Sequence, residues 1–210
     1  AHDAAQAVAK EVSGLAVRVD VTSAAETAAM AARALEAYGA IDVLVNNAGM
    51  YTAIRKRPFT EIPLEEWDRC MAVNVKGVYL CCRAVYPQMK QQGRGKIINI
   101  SSGTVLGGTP MFLHYVSSKA AVIGLTRALA REVGGDGINV NAITPGLTIA
   151  DENQRRMLSE EYLAPRRQAR AFKRDQYPKD LVGTVVFLAS SESDFITGQT
   201  LNVDGGTWML

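Results

Sequence analysis

Apolar and polar residues fall into two alternating kinds of segment along this chain. Short β-branched runs without strict alternation recur at residues 15–19 (LAVRV), 41–45 (IDVLV), 97–100, 138–143 and 200–203. Runs of this kind predict strands buried on both faces. Longer segments of helical character separate them. Residues 23–38 are Ala-rich, with Ser23 or Thr22 placed to cap the start and Gly39 to end the helix. Residues 65–91 read as a helix with a soft point near Asn74 and Gly77, and residues 112–133 as a long helix stopped by Gly134 and Gly135. Residues 180–190 read as a shorter helix, and the opening AHDAAQAVAK as the middle of one. Five strands separated by helices predict an α/β fold: a doubly wound parallel sheet, three layers deep, in a single domain over residues 1–210. Residues 147–178 form the only long stretch without a clear period, and they are polar and Arg-rich.

Composition narrows the function classes. The 210 residues are 48% hydrophobic and 21% charged, which fits a packed core and excludes a disordered or fibrous chain. Basic and acidic residues number 23 and 21, for a net charge of +2. That balance gives no reason to expect nucleic acid or a membrane surface as partner. No apolar run reaches the ~18 residues of a membrane span. The three cysteines are Cys70, Cys81 and Cys82; an odd count with two neighbours predicts reduced thiols and a cytoplasmic protein. No metal is expected.

In an open parallel sheet, ligands bind beyond the carboxyl ends of the strands. After the second predicted strand comes Asn46-Asn47-Ala48-Gly49, where Gly49 permits a sharp turn and close approach to a ligand. After the third come Ser101 and Ser102. Further on, Tyr115 and Lys119 stand at i and i+4, on one face of a helix. A free phenol titrates near ~10, too high for ready proton exchange at neutrality, and a neighbouring cation favours the phenolate. Tyr115 is therefore a candidate general acid or base tuned by Lys119, with a Ser hydroxyl to hold a carbonyl oxygen. The Tyr-x-x-x-Lys pair is weak alone and gains weight from its company.

That company resembles the short-chain dehydrogenase/reductase family. The matching pieces are DVT (20–22), NNAG (46–49), Asn74 in AVNVKG, Ser102 in IINISSG, YVSSK (115–119), Pro145-Gly146 and ITGQTLNVDGG (196–206), in family order and spacing. The resemblance implies a Rossmann-type fold and an enzyme that uses NAD or NADP to oxidise an alcohol or reduce a carbonyl. Its substrate would be a small molecule: a secondary alcohol, a sugar or polyol, or a 3-oxoacyl thioester. By position it implies Tyr115 as acid/base and Lys119 as the residue that lowers its pKa and holds the nicotinamide ribose. It implies Ser102 on the reacting oxygen and Asn74 on a water that relays protons to Lys119. Asn46, Ala48 and Gly49 would line the adenosine and ribose side, Asp20 and Val21 would meet the adenine, and Pro145 and Gly146 would lie against the nicotinamide. Where many relatives have Thr four residues after that Gly, this chain has Ala150; Thr148 is the nearest substitute. A homotetramer or homodimer is also implied, built on the two long helices with residues such as Val78, Leu80 and Val122.

The family opens with a strand, a Gly-rich turn (TGxxxGxG), a helix and a second strand. No such glycine motif occurs in the 210 residues. The chain reads as starting just after that βαβ unit of ~30 or more residues. Either the unit lies outside the given sequence, which the intact downstream positions favour, or the chain is a non-catalytic relative that binds or scaffolds. His114 reads as a helix residue turned away from the site. Arg155, Arg156, Arg166, Arg167, Arg170, Lys173 and Arg174 read as a solvated segment with Glu160, Glu161 and Asp175 as counter-charges, or as a recognition surface for an acidic or phosphate-bearing substrate.

Overall fold

The computed structural model describes residues 2–209. Helices α1 (His2–Glu11) and α2 (Ala24–Tyr38) lead into strand β1 (Val43–Asn46). Helix α3 (Leu64–Met71) passes through a π-turn (Ala72–Lys76) into α4 (Gly77–Gln92), and β2 (Gly95–Ile100) follows. A short turn of helix, α5 (Thr104–Gly107), precedes the long α6 (Leu113–Val133) and β3 (Ile138–Pro145). Helices α7 (Glu152–Met157), α8 (Glu160–Ala169) and α9 (Lys179–Ala189) precede β4 (Thr200–Val203).

The four strands form one parallel sheet in the order β1-β2-β3-β4. Side chains alternate across it, so each strand feeds two cores. Ile97, Ile138 and Val140 pack against α2, α4 and α6 with Val78, Val85, Met89 and Val122. Ile98 and Ile143 pack on the opposite face against Leu188 of α9. This is the α/β/α sandwich of a Rossmann-type sheet. Ser23 caps α2 by accepting from the Glu26 N–H at 3.3 Å, and Gly39 ends it in the left-handed conformation at φ 74°. Among the described residues, no helix is long and apolar enough to cross a membrane.

Two expectations change. Residues 15–19 are not a strand: among the described residues the sheet has four strands, β1 pairs with β2, and no other strand ladders with its outer edge. The segment runs on without the partner that a strand requires. Residues 147–178 are not irregular. Asp151 accepts from the Gln154 N–H at 2.7 Å and Ser159 from the Tyr162 N–H at 3.2 Å, capping α7 and α8. The scarcity of apolar residues hid α7, and Pro165 inside α8 read as a breaker. Ile149, Leu163 and Arg170 anchor the segment, each at least 95% buried.

One glycine fixes the crossing from α6 to β3. Gly137 has φ 76°, and a Cβ there would strike the backbone carbonyl of Gly93. Gly137→Ala should therefore destabilise the protein by about 2–3 kcal/mol, from the positive φ and the clash together. Urea denaturation checks this; an unchanged midpoint would contradict it.

Candidate active site

The carboxyl ends of β1, β2 and β3 converge beside the first two turns of α6. The Ser101 hydroxyl donates to the Lys119 carbonyl at 2.7 Å, tying β2 to α6. The Lys119 Nζ donates to the Ile100 carbonyl at 2.8 Å. Helical spacing puts Tyr115, Ser118 and Lys119 on one face of α6. The Lys119 Nζ lies 5.9 Å from the Tyr115 ring centre. Ser102 accepts from the Thr104 N–H at 3.2 Å and from its hydroxyl at 3.0 Å, which fixes its rotamer. The Ser102 hydroxyl lies near enough to the Tyr115 phenol to favour its ionised form.

Asn74 enters from the other side. A π-turn adds one residue to the helical turn and redirects its side chains. Here it buries Asn74 completely. Asn74 accepts from the Met50 N–H at 2.7 Å and donates to the Ser118 hydroxyl at 3.0 Å. Ser118 donates in turn to the Tyr115 carbonyl at 2.8 Å. Gly49 stands in front of both buried groups: a Cβ there would sit 3.4 Å from Asn74 Oδ1 and 3.4 Å from Lys119 Nζ. An exposed glycine thus opens a path to two buried polar groups.

Burial dominates the electrostatics. It pushes the Tyr115 phenol up to about 12, against the pull of Ser102. It pushes the Lys119 ammonium down to about 8. In the protein alone the net Tyr115 shift is upward, because burial outweighs the pull of Ser102, and the Lys119 charge is aimed at the Ile100 carbonyl.

The remaining candidates take distinct places. Asn46 donates to Asn99 Oδ1 at 2.8 Å, and Asn99 donates to the Thr126 hydroxyl at 2.9 Å, so Asn46 spends its amide joining the sheet to α6. Ala48 is exposed beside Gly49. Asp20 accepts from the N–H and hydroxyl of Thr22 at 2.9 and 2.8 Å, the role of a turn cap. Those bonds hold its carboxyl below the ordinary range. Asp20 also lines a cleft of about 270 Å³ with Arg69, Ala72 and Val73, next to the π-turn that carries Asn74. Val21 packs onto Gly77, where a Cβ would sit 2.8 Å from its methyl. The Pro145 carbonyl accepts from the Gly103 N–H at 2.8 Å, which ties Pro145 and Gly146 to the segment after Ser102. Thr148 donates to the Gly146 carbonyl at 3.1 Å.

Sequence reasoning missed several neighbours. Phe112 and Tyr51 flank Tyr115 with ring centres 4.7 and 5.5 Å away. Ser118 was legible from its i+3 spacing to Tyr115; Tyr51 and Gln176 carried no signal. Buried Gln176 leaves its Oε1 without a partner, and a Cβ at Gly146 would meet that oxygen at 2.7 Å. His114 meets Glu66 at 2.9 Å and packs edge-on against Phe112, with ring centres 6.2 Å apart. Among the described residues, no cluster of metal-ligating side chains forms.

A family profile described as enoyl-(acyl carrier protein) reductase matches residues 1–207. The chain belongs to the short-chain dehydrogenase/reductase family. The 3-oxoacyl-[acyl-carrier-protein] reductase FabG of Staphylococcus aureus strain Mu50 is 39% identical over 201 residues, 96% of this chain and 80% of that one. A crystal structure titled ribose-5-phosphate isomerase from Brucella melitensis 16M superposes with a TM-score of 0.88 at 34% identity, covering 99% of this chain and 79% of the other. ElxO with NADP bound gives 0.82 at 31%, covering 91% and 77%. As a member of this family, the protein is an NAD(P)-dependent oxidoreductase. Its residues fit a dinucleotide: Gly49 leaves room against Asn74 and Lys119, and Gln176 Oε1 is an orphaned acceptor beside Gly146.

The Lys119 shift makes a stability prediction. A depressed pKa means the unfolded state binds more protons than the folded one between about 8 and the ordinary 10.5. Stability contributed by Lys119 should rise with pH across that window and be lost as pH falls through 8. Urea midpoints of the wild type should therefore climb relative to Lys119→Met from pH 8 to 10. Parallel curves would contradict the buried ammonium.

Proposed function

We propose that this protein reduces the carbonyl of a small-molecule ketone, or oxidises the matching secondary alcohol, with Tyr115 moving the proton. The observation that carries this reading is the placement of Tyr115 beside Ser102 and Lys119 at the carboxyl end of β2, with the Lys119 Nζ 5.9 Å from the phenol ring centre. A phenol held near 12 is protonated at neutral pH and can donate to a carbonyl oxygen as charge develops there. Ser102 holds that oxygen. Lys119, as a cation with a pKa near 8, stabilises the phenolate left behind, returns a proton to it, and takes one back from solvent through a water held by Asn74.

The nicotinamide supplies the hydride when bound. Lys119, Ala48 and Gly49 would hold its ribose side, with Asn46 bracing the strand end beneath them, Pro145, Gly146 and Thr148 its nicotinamide end, and Asp20 and Val21 its adenine. The close packing of Gly77 under Val21 and the open face of Gly49 support this assignment. Alcohols, polyols and 3-oxoacyl thioesters all fit the chemistry, and the FabG relative's name favours the last. The isomerase named in the Brucella title shares the fold, which alone does not set the reaction. A non-catalytic scaffold is the competing reading, and it gives no reason for Tyr115, Ser102 and Lys119 to meet.

The protein works in the cytoplasm as a homotetramer or homodimer on this reading. Val78, Leu80 and Val122 belong to the chain's own core. The apolar surface left for a partner includes Val182, Val186, Phe195 and Met209, each more than half exposed. Light scattering should report a dimer or tetramer at micromolar concentration; a stable monomer would count against it.

Tyr115→Phe deletes one hydroxyl and should cut ketone reduction on the order of 10³-fold or more, read as loss of reduced-nicotinamide absorbance. Cofactor binding, followed by fluorescence, should persist. Near-normal kcat in that variant would remove Tyr115 from the mechanism.

A further inference from the structure

Most cations of the Arg-rich segment are already matched. Arg167 pairs with Asp175 at 3.0 Å and with Glu160, Arg155 with Glu160, and Arg174 with Asp180 at 2.7 Å. Arg170 is buried and donates to the carbonyls of Leu147 and Arg174 at 2.8 and 2.9 Å. These contacts shape the segment and leave little charge for a ligand. In the loop after β1, Arg57 is likewise taken by Glu66 at 3.1 Å.

Two cations differ, and each stands on an aromatic ring near the site. The Arg166 guanidinium stacks on the Tyr162 ring, 3.5 Å from its centre. The Lys56 Nζ lies 5.7 Å from the centre of Phe112, the ring that packs 4.7 Å from Tyr115. Tyr51 closes the set, 6.0 Å from Phe112 and 5.5 Å from Tyr115, with Tyr162 and Arg166 as its charged and polar neighbours on α8. Burial and the nearby Arg166 charge both disfavour the Lys56 ammonium, which marks the two as mutually repelling. Neither forms an ion pair among the described residues. Two cations that stand on aromatic faces and repel each other, neither with an ion pair among the described residues, are favoured by an anion that joins them.

We propose that Lys56 and Arg166 bind an anionic group of the substrate, a carboxylate or phosphate carried away from the reacting carbon, across the Tyr51–Phe112 wall from Tyr115. This rests on the carbonyl-reduction reading above and adds the substrate's charge to it. The guanidinium offers a fork of N–H donors that fits either anion, and the ammonium a point charge. Phe112 and Tyr51 pack the carbon chain between the two ends. The substrate is thus an oxo acid, a hydroxy acid or a phosphorylated ketone, in contrast to a neutral alcohol.

The test compares matched ketones with reduced cofactor: 4-oxopentanoate against its methyl ester, and dihydroxyacetone phosphate against dihydroxyacetone. The wild type should favour at least one anion over its neutral partner by tenfold or more in kcat/KM, with the preference falling as salt rises. Lys56→Ala and Arg166→Ala should each collapse that ratio, mainly through KM, while Lys56→Arg retains most of it. Equal rates for acid and ester and for phosphate and free ketone, or a ratio that survives both alanine variants, would overturn the proposal. A second arm does not need turnover. Acetylation of Lys56, followed by peptide mass spectrometry, should slow in 4-oxopentanoate or inorganic phosphate, while exposed Lys10 on α1 is unaffected. The anion that protects identifies the class, and no protection by either overturns the site. Protection without turnover of any ketone would keep the anion site and remove the reductase reading instead.

Discussion

The burial of two ionisable groups against each other governs this site. Tyr115 and Lys119 are 7% and 5% exposed, and burial strips hydration from both. In water a phenol and an ammonium would titrate close together; here they are driven apart, the phenol to about 12 and the ammonium to about 8. Acid catalysis asks for a donor pKa nearer the working pH than about 12, so the separation sets the two protonation states and leaves the lowering of the phenol pKa to bound substrate and cofactor. A neutral phenol is ready to donate, and a cation that can release its proton is ready to replenish it. The constraint also fixes the neighbours. A buried ammonium must donate somewhere, and the Ile100 carbonyl at the end of β2 receives it.

The fold exists around that demand in a traceable way. Parallel pairing of β1, β2 and β3 brings three strand ends to one edge. The Asn46–Asn99–Thr126 chain of hydrogen bonds pins β1 and β2 to α6, so the helix carrying Tyr115 keeps its height above the sheet. The π-turn between α3 and α4 turns Asn74 inward, and its bonds to Met50 and Ser118 join the loop after β1 to the same helix. Each of these polar links is buried and paired, which gives the site one geometry. Glycines supply the openings: Gly49 in front of Lys119, Gly77 under Val21 and Gly146 beside Gln176.

Much of this was legible in the sequence. The apolar runs identified four of the strands, and Ser23, Gly39, Gly134 and the soft point at Asn74 marked real boundaries. Tyr115 and Lys119 were readable because helical spacing is local. What escaped reading was set by partners far away in the chain. Residues 15–19 have strand composition but no neighbour to ladder with, and composition does not report neighbours. Residues 147–178 form two helices whose caps, Asp151 and Ser159, looked like ordinary polar loop residues. The raised Tyr115 pKa was not legible because burial depends on packing by Tyr51 and Cys70, both far away in the chain, as well as by nearby Phe112. The Arg-rich stretch looked uniform, and only the structure shows Arg155, Arg167 and Arg174 in ion pairs and Arg166 stacked on Tyr162.

The protonation state of Tyr115 can be observed directly. With tyrosine labelled with ¹³C at Cζ, each phenol reports its own ionisation by NMR, and Tyr115→Phe assigns the resonance. The account predicts that the Tyr115 signal stays at its neutral value through pH 10, with its midpoint near 12, in the protein without cofactor. A Tyr115 phenolate half-formed near neutrality would contradict it. That result would mean that the Lys119 charge outweighs burial in setting the chemistry of the pair.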